Sequence, residues 1–233
     1  MIARIVAALA LGVGMLLTVT VAAETPTETA KRMLQEQAGE FIGLWKGEGK
    51  GPNRSFWKEE ADWGWKFKSG DAWIAFKVTG NKQLSEGTLK YLPEKKLFEF
   101  TAKTPDGKEL VYTGQFNSRR ELQLEATDPT TKDLHRLKLY TVANGARMIL
   151  KNEVKKGGKG LFSTSFESAV TKEGEAFAGG AKKKTECIVT GGLGTIPVSY
   201  GGKTYYVCCS GCRDEFNADP KKYIAEYEAK QKK

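Results

Sequence analysis

Short runs of alternating hydrophobic and polar residues dominate the chain from Phe41 to Val170. They include Trp73-Ile74-Ala75-Phe76-Lys77-Val78, Leu97-Phe98-Glu99-Phe100-Thr101, Leu110-Val111-Tyr112 and Leu122-Gln123-Leu124-Glu125. Leu134 to Leu139, Met148-Ile149-Leu150 and Phe162 to Ala169 continue the set. A period of two places one side of each run on a core and the other in water, which predicts β-strands. Turn residues punctuate the runs at Ser69-Gly70-Asp71, Thr79-Gly80-Asn81, Thr104-Pro105-Asp106-Gly107, Asn117-Ser118, Ala143-Asn144-Gly145 and Gly157-Gly158. Eight to ten antiparallel strands in series, with no helical pattern between them, predict a mainly β fold. The closed meander barrel over residues 41–170 is the first choice and a two-sheet sandwich the alternative.

The flanks read differently. Within residues 24–40, Glu24 to Glu28 is polar and predicts a disordered neck, and Thr29 to Gln37 predicts a short helix with Thr29 as its N-cap. Residues 171–185, with Gly179-Gly180 ahead of Lys182, Lys183 and Lys184, predict a flexible linker and a domain boundary. Beyond it, in residues 186–233, Ile196 to Tyr200 and Lys203 to Cys208 predict a hairpin closed by Gly201-Gly202. A short helix around Arg213 to Phe216 follows, and then a last helix with Asp219 as N-cap and Pro220 at its first position.

The first 23 residues stand apart. Arg4 precedes an uncharged apolar run from Ile5 to Val21, and Ala22-Ala23 completes the pattern of a secretory signal cleaved after Ala23, with an uncleaved anchor as the alternative. The expected location is therefore the periplasm or the exterior, with no stable membrane span after cleavage. With 37 lysines and arginines against 28 acids, the chain carries a net charge of +9, spread along its length rather than gathered in a stripe. That distribution favours solubility and weak attraction to anionic surfaces, and it does not suggest nucleic-acid binding. The sequence contains no G-x-S-x-G, P-loop, H-E-x-x-H or dinucleotide fingerprint and has one histidine, so an enzyme is not expected.

Candidate chemistry lies in the four cysteines, all within the last fifty residues. Cys187 is followed after twenty residues by Cys208-Cys209-Ser210-Gly211-Cys212. So small a module buries too little apolar surface to be secure alone, and thiols gathered by a hairpin and a helix start can staple it around one ion. A thiolate-rich site suits Zn²⁺ or Cu⁺ rather than Mg²⁺ or Ca²⁺. Two disulfides, with three possible connectivities, and a reactive dithiol are the competing readings in an exported chain. Cys187, Cys208 and Cys212 are the principal candidate ligands. Cys209 or a water is the candidate fourth, ahead of Asp214 and Glu215.

The spacing resembles that of a YHS domain, a group related to TRASH metal-binding modules. Its pattern is a first cysteine, a long spacer, C-x3-C, an aromatic residue and D-P-x-x-Y. Cys187, Cys208, Cys212, Phe216 and Asp219-Pro220-Lys221-Lys222-Tyr223 match it over about residues 186–226, with Tyr205-Tyr206-Val207 as the aromatic lead-in. Some members carry a second cysteine three residues after the first, where this chain has Thr190. The resemblance implies heavy-metal binding at these cysteines.

A second resemblance involves Phe41-Ile42-Gly43-Leu44-Trp45-Lys46-Gly47-Glu48-Gly49-Lys50-Gly51. Glycine, one residue and tryptophan at a first strand is similar to the opening of lipocalin-like (calycin) barrels, and the longer G-x-W-x-G-x-G run to their nitrobindin-type branch. In such a barrel Trp45 would plug the closed end. Haem is not carried over, because that branch uses a histidine near the end of the barrel and the single histidine here, His135, lies mid-barrel. If the barrel is hollow, Trp45, Trp63, Trp73 and His135 would line a pocket for a small apolar molecule. The competing reading takes Trp57, Trp63, Trp65 and Trp73 as core and rim and His135 as a hydrogen-bonded core residue. Two functions follow: an exported binder of a soft metal ion, or a lipocalin-like carrier with a stapled C-terminal accessory. No protein partner is indicated.

Overall fold

The computed structural model describes residues 24–173 and 185–231; the signal segment and most of the linker lie outside the described residues. The chain opens with helix α1 (Pro26–Ala38), which starts earlier than its apolar spacing suggests. Thr25, not Thr29, is the N-cap: its hydroxyl accepts from Glu28 N at 3.2 Å, and the Glu28 carboxylate accepts from Thr25 N at 2.8 Å. This capping box, with Pro26 at the first position, turns the expected neck into the first turn of the helix.

Ten antiparallel strands then close into a barrel. They are β1 (Gly43–Lys50), β2 (Phe56–Lys68), β3 (Asp71–Thr79), β4 (Glu86–Leu92), β5 (Leu97–Lys103), β6 (Glu109–Phe116), β7 (Leu122–Thr127), β8 (Leu134–Val142), β9 (Arg147–Lys155) and β10 (Ser163–Lys172). Each strand pairs with its sequence neighbours, and β1 closes the ring on β10 through the register Trp45↔Lys172 to Lys50↔Glu167. The meander predicted from alternation is therefore the observed topology.

The inward positions of β1 explain its glycine-rich opening. A Cβ on Gly47 would stand 2.3 Å from the carbonyl oxygen of Ala169, and one on Gly49 would stand 2.1 Å from the ring of Trp57. Only glycine lets β10 and that ring come so close. Trp45 is fully buried, and its indole N–H donates to the Phe41 carbonyl at 2.8 Å. Glu40, just before Phe41, is bonded by Arg120 and Thr141, and its carbonyl accepts from Lys172 Nζ at 3.0 Å. With α1 packed on β3 and β4, these contacts close one end of the barrel.

Aromatic side chains fill the interior beneath. Trp63 stacks on Phe76 at 4.6 Å, Phe76 on Phe100 at 5.2 Å, and Phe41 packs on Trp63 at 6.1 Å. An internal cavity of about 20 Å³ remains beside this stack, lined in part by Trp63, Phe76, Met148 and Glu59. That is room for a water-sized occupant, so a larger apolar ligand would require the aromatic stack to open. Trp73 shares strand parity with Lys77 on the outer face, and Lys90 Nζ lies 5.8 Å from its ring centre. His135 is half-buried at an inward position beside Tyr112 and 3.5 Å from Asn152 Nδ2, and burial holds its pKa below the usual imidazole value.

Glu59 is a charged residue buried beside this aromatic stack. Trp57 Nε1, Asn81 Nδ2 (2.6 Å) and Ser168 Oγ (3.0 Å) all donate to the same carboxylate oxygen. Burial nevertheless raises the pKa of Glu59, its largest influence, against the lowering effect of those three donors. A carboxyl that binds its proton more tightly when folded loses folding stability as pH rises from the unfolded value through the folded one. Urea unfolding of wild type and Glu59→Gln at pH 4 and pH 8 should therefore show the variant gaining relative stability at the higher pH. A pH-independent difference would contradict this.

Candidate metal centre

The C-terminal residues begin with a loop carrying Cys187 to Thr190, tied back by Ile188 N donating to Tyr206 O at 2.9 Å and Thr195 N to Val207 O at 2.9 Å. Strands β11 (Ile196–Tyr200) and β12 (Lys203–Val207) form the predicted hairpin, with Gly201 and Gly202 both at positive φ in its two-residue turn. Helix α2 (Ser210–Ala218) starts at Cys209, longer than the four residues expected. Helix α3 (Pro220–Gln231) follows, with Asp219 Oδ1 accepting from Lys222 N at 3.2 Å as its cap. Phe216 and Tyr223 are buried between the helices and the hairpin, and Tyr223 Oη donates to Glu215 at 2.7 Å.

This arrangement brings Cys187 from the loop, Cys208 from the end of β12 and Cys212 from the first turn of α2 to one point. Their three sulfurs lie within 4.8 Å of one another, and the Cys208 and Cys212 sulfurs are 3.5 Å apart. All four cysteines are buried and unpaired by disulfides. A metal–sulfur bond of about 2.3 Å separates the sulfurs of one coordination sphere by about 3.8–4.0 Å, so the three are spaced to hold a single ion. Cys209 falls outside that set. Its sulfur is 4.0 Å from that of Cys208 and accepts a hydrogen bond from Trp65 N at 3.3 Å.

The four thiols interact strongly with one another. Hydrogen bonds from Cys208, then from Cys212, hold Cys187 and Cys209 far below the ordinary thiol value. Cys208 and Cys212 are pushed up, first by their interaction with Cys187. Neighbouring thiolates cannot all carry charge in a buried site unless a positive ion joins them. Asp214 and Glu215 are not in the sulfur-bounded group.

The centre lies against the barrel. Strand β2 outruns β1: their pairing stops at Gly43↔Trp63, whereas β2 continues along β3 to Lys68↔Asp71. Trp65 N–H, beyond the reach of β1, is the donor that Cys209 satisfies. Gly211 presses on the same strand; a Cβ there would stand 1.9 Å from Trp65 O. From the other side, α1 places Lys31 over the rings of Phe67 and Tyr223, at 5.8 and 5.9 Å. Burial lowers the Lys31 pKa, and Glu226 and Cys212 pull it partly back. The buried apolar residues of barrel, α1 and cysteine module form one continuous cluster.

Sequence spacing identified Cys187, Cys208 and Cys212, and the fold brings all three together. The barrel candidates Trp45, Trp63, Trp73 and His135 lie apart from them, the first two in the core. Spacing did not find Trp65, Gly211 or Lys31, whose roles depend on contacts more than a hundred residues away.

Comparison with family models agrees: residues 196–227 match the YHS domain. The matched stretch includes Cys208, Cys209 and Cys212, and Cys187 precedes it. No curated protein matches the chain. The C-terminal residues are thus a YHS/TRASH-like module set on a ten-stranded antiparallel barrel.

Replacing Gly211 by alanine should destabilise the folded chain by about 1–3 kcal/mol, because backbone of α2 or β2 must move to admit a methyl group. Urea unfolding measures the loss, and amide exchange at Trp65 should quicken; an unchanged exchange rate would count against docking through this contact.

Proposed function

We propose that the protein binds one soft metal ion, zinc or copper, through the thiolates of Cys187, Cys208 and Cys212. In this reading it is an exported, non-enzymatic metal-binding protein. The observation that carries the proposal is the convergence of three buried sulfurs within 4.8 Å from a loop, a strand end and a helix start. The YHS match over residues 196–227 supports it independently. Export is supported by the basic, apolar and small-residue pattern of residues 1–23. Among the described residues no helix is long and apolar enough to cross a membrane.

An ion bound here would supply the positive charge that three buried thiolates lack, and the protein's part is to hold the sulfurs in place and exclude water. In an oxidising compartment the same proximity would allow Cys208 and Cys212 to be oxidised to a disulfide instead. A second reading, a small ligand inside the barrel, has its support in the polar set of Glu59, Asn81 and Ser168, all three of which border the internal cavity.

Elemental analysis of protein isolated from its native compartment, with a free-thiol count, tests the first reading. One zinc or copper per chain and no disulfide is the expected result. Changing Cys187, Cys208 and Cys212 together to serine should weaken binding by more than about 100-fold, beyond what loss of outer contacts costs a metal site. Full retention of metal by that variant would overturn the assignment.

A further inference from the structure

Cys209 adjoins a candidate ligand in sequence but does not join the three-sulfur set, and the barrel explains why. Its backbone is extended, at φ −158° and ψ 173°, and its sulfur, although 4.0 Å from that of Cys208, is not within 4.8 Å of all three others. Its sulfur accepts from Trp65 N, a donor that β1 leaves free, and the neighbouring Gly211 is seated on the Trp65 carbonyl. The corner that Cys209 vacates is not filled by another thiol. Thr190 stands beside the cluster: its hydroxyl is 3.7 Å from the Cys208 sulfur, and it helps lower the Cys187 pKa.

We infer that the edge of the barrel withholds Cys209 from the metal, so that a bound soft ion meets three protein thiolates and an oxygen, either water or the Thr190 hydroxyl, at an exchangeable fourth corner. This rests on the proposed metal-binding function and gives it a direction. A site closed by four protein thiolates holds its metal as structure, whereas three with an open position can pass it on. The acceptor is a thiol-bearing molecule. Its sulfur binds the ion at the open corner as a thiolate, losing its proton to solvent, while a protein thiolate departs and takes up a proton. Cys209 is a positioning residue in this scheme, the anchor between module and strand, and Thr190 sets the coordination number.

The test uses the full chain loaded with Zn²⁺, with the sulfur count read by X-ray absorption at the zinc edge. Wild type and Cys209→Ser are expected to show the same three sulfurs and one oxygen. Thr190→Cys should show four sulfurs and release zinc to a dithiol chelator at least tenfold more slowly. Four sulfurs in wild type, falling to three in Cys209→Ser, would overturn the inference while leaving metal binding intact. Failure of wild type to take up zinc at all would overturn the metal-binding reading itself, and this inference with it. The Cys209→Ser comparison stands even if the Thr190 variant does not fold, and circular dichroism of both variants checks that point.

Discussion

A strand longer than its neighbour leaves main-chain groups with nothing to bond, and here the shortfall of β1 against β2 leaves the Trp65 N–H as such a donor. The sulfur of Cys209 accepts it. This one contact fixes where α2 begins, and α2 in turn places Cys212 opposite Cys187 and Cys208. The candidate centre is therefore a property of two folds in contact. The hairpin and helices supply the thiols, and the barrel supplies the surface that sorts them into three that converge and one that does not. Alone, a module of this size would bury too little to hold such an arrangement.

Electrostatics and packing act together at this junction. The four buried thiols have the partly buried Lys31 ammonium and the outer-face carboxylate Asp62 as neighbours, and Asp62 is raised by desolvation and by Cys209. Lys31 stands over the rings of Phe67 and Tyr223 rather than among the sulfurs. The chemistry of the sulfur donors favours a soft cation as their common partner.

Much of this was legible in the sequence. Alternation with a period of two, broken by glycine and asparagine turns, is a local signal, and it led to the barrel. The Gly201-Gly202 turn, the Asp219 cap and the spacing of Cys187, Cys208 and Cys212 are equally local. What failed to show was either masked by charge or long-range. Strand β2 reads as polar because Lys58, Glu60, Asp62 and Lys66 line its outer face, although Trp57, Glu59, Ala61, Trp63 and Trp65 alternate inward. The start of α1 was misplaced because its capping box at Thr25 and Glu28 precedes the first apolar residue of the pattern. The docking of Gly211 on Trp65 joins positions far apart in the chain, and no periodicity records such a contact.

Closing a sheet into a barrel normally abolishes free edges, but the staggered end of β2 restores a short one between Gly64 and Lys68. Bare edges recruit strands from other molecules, and rows of tryptophan and phenylalanine such as those of β2 make that recruitment adhesive. By lying across this edge, the Cys209–Gly211 segment covers the Trp65 N–H and carbonyl. Any event that lifts the cysteine module away would uncover thiols and an unpaired strand edge at the same moment.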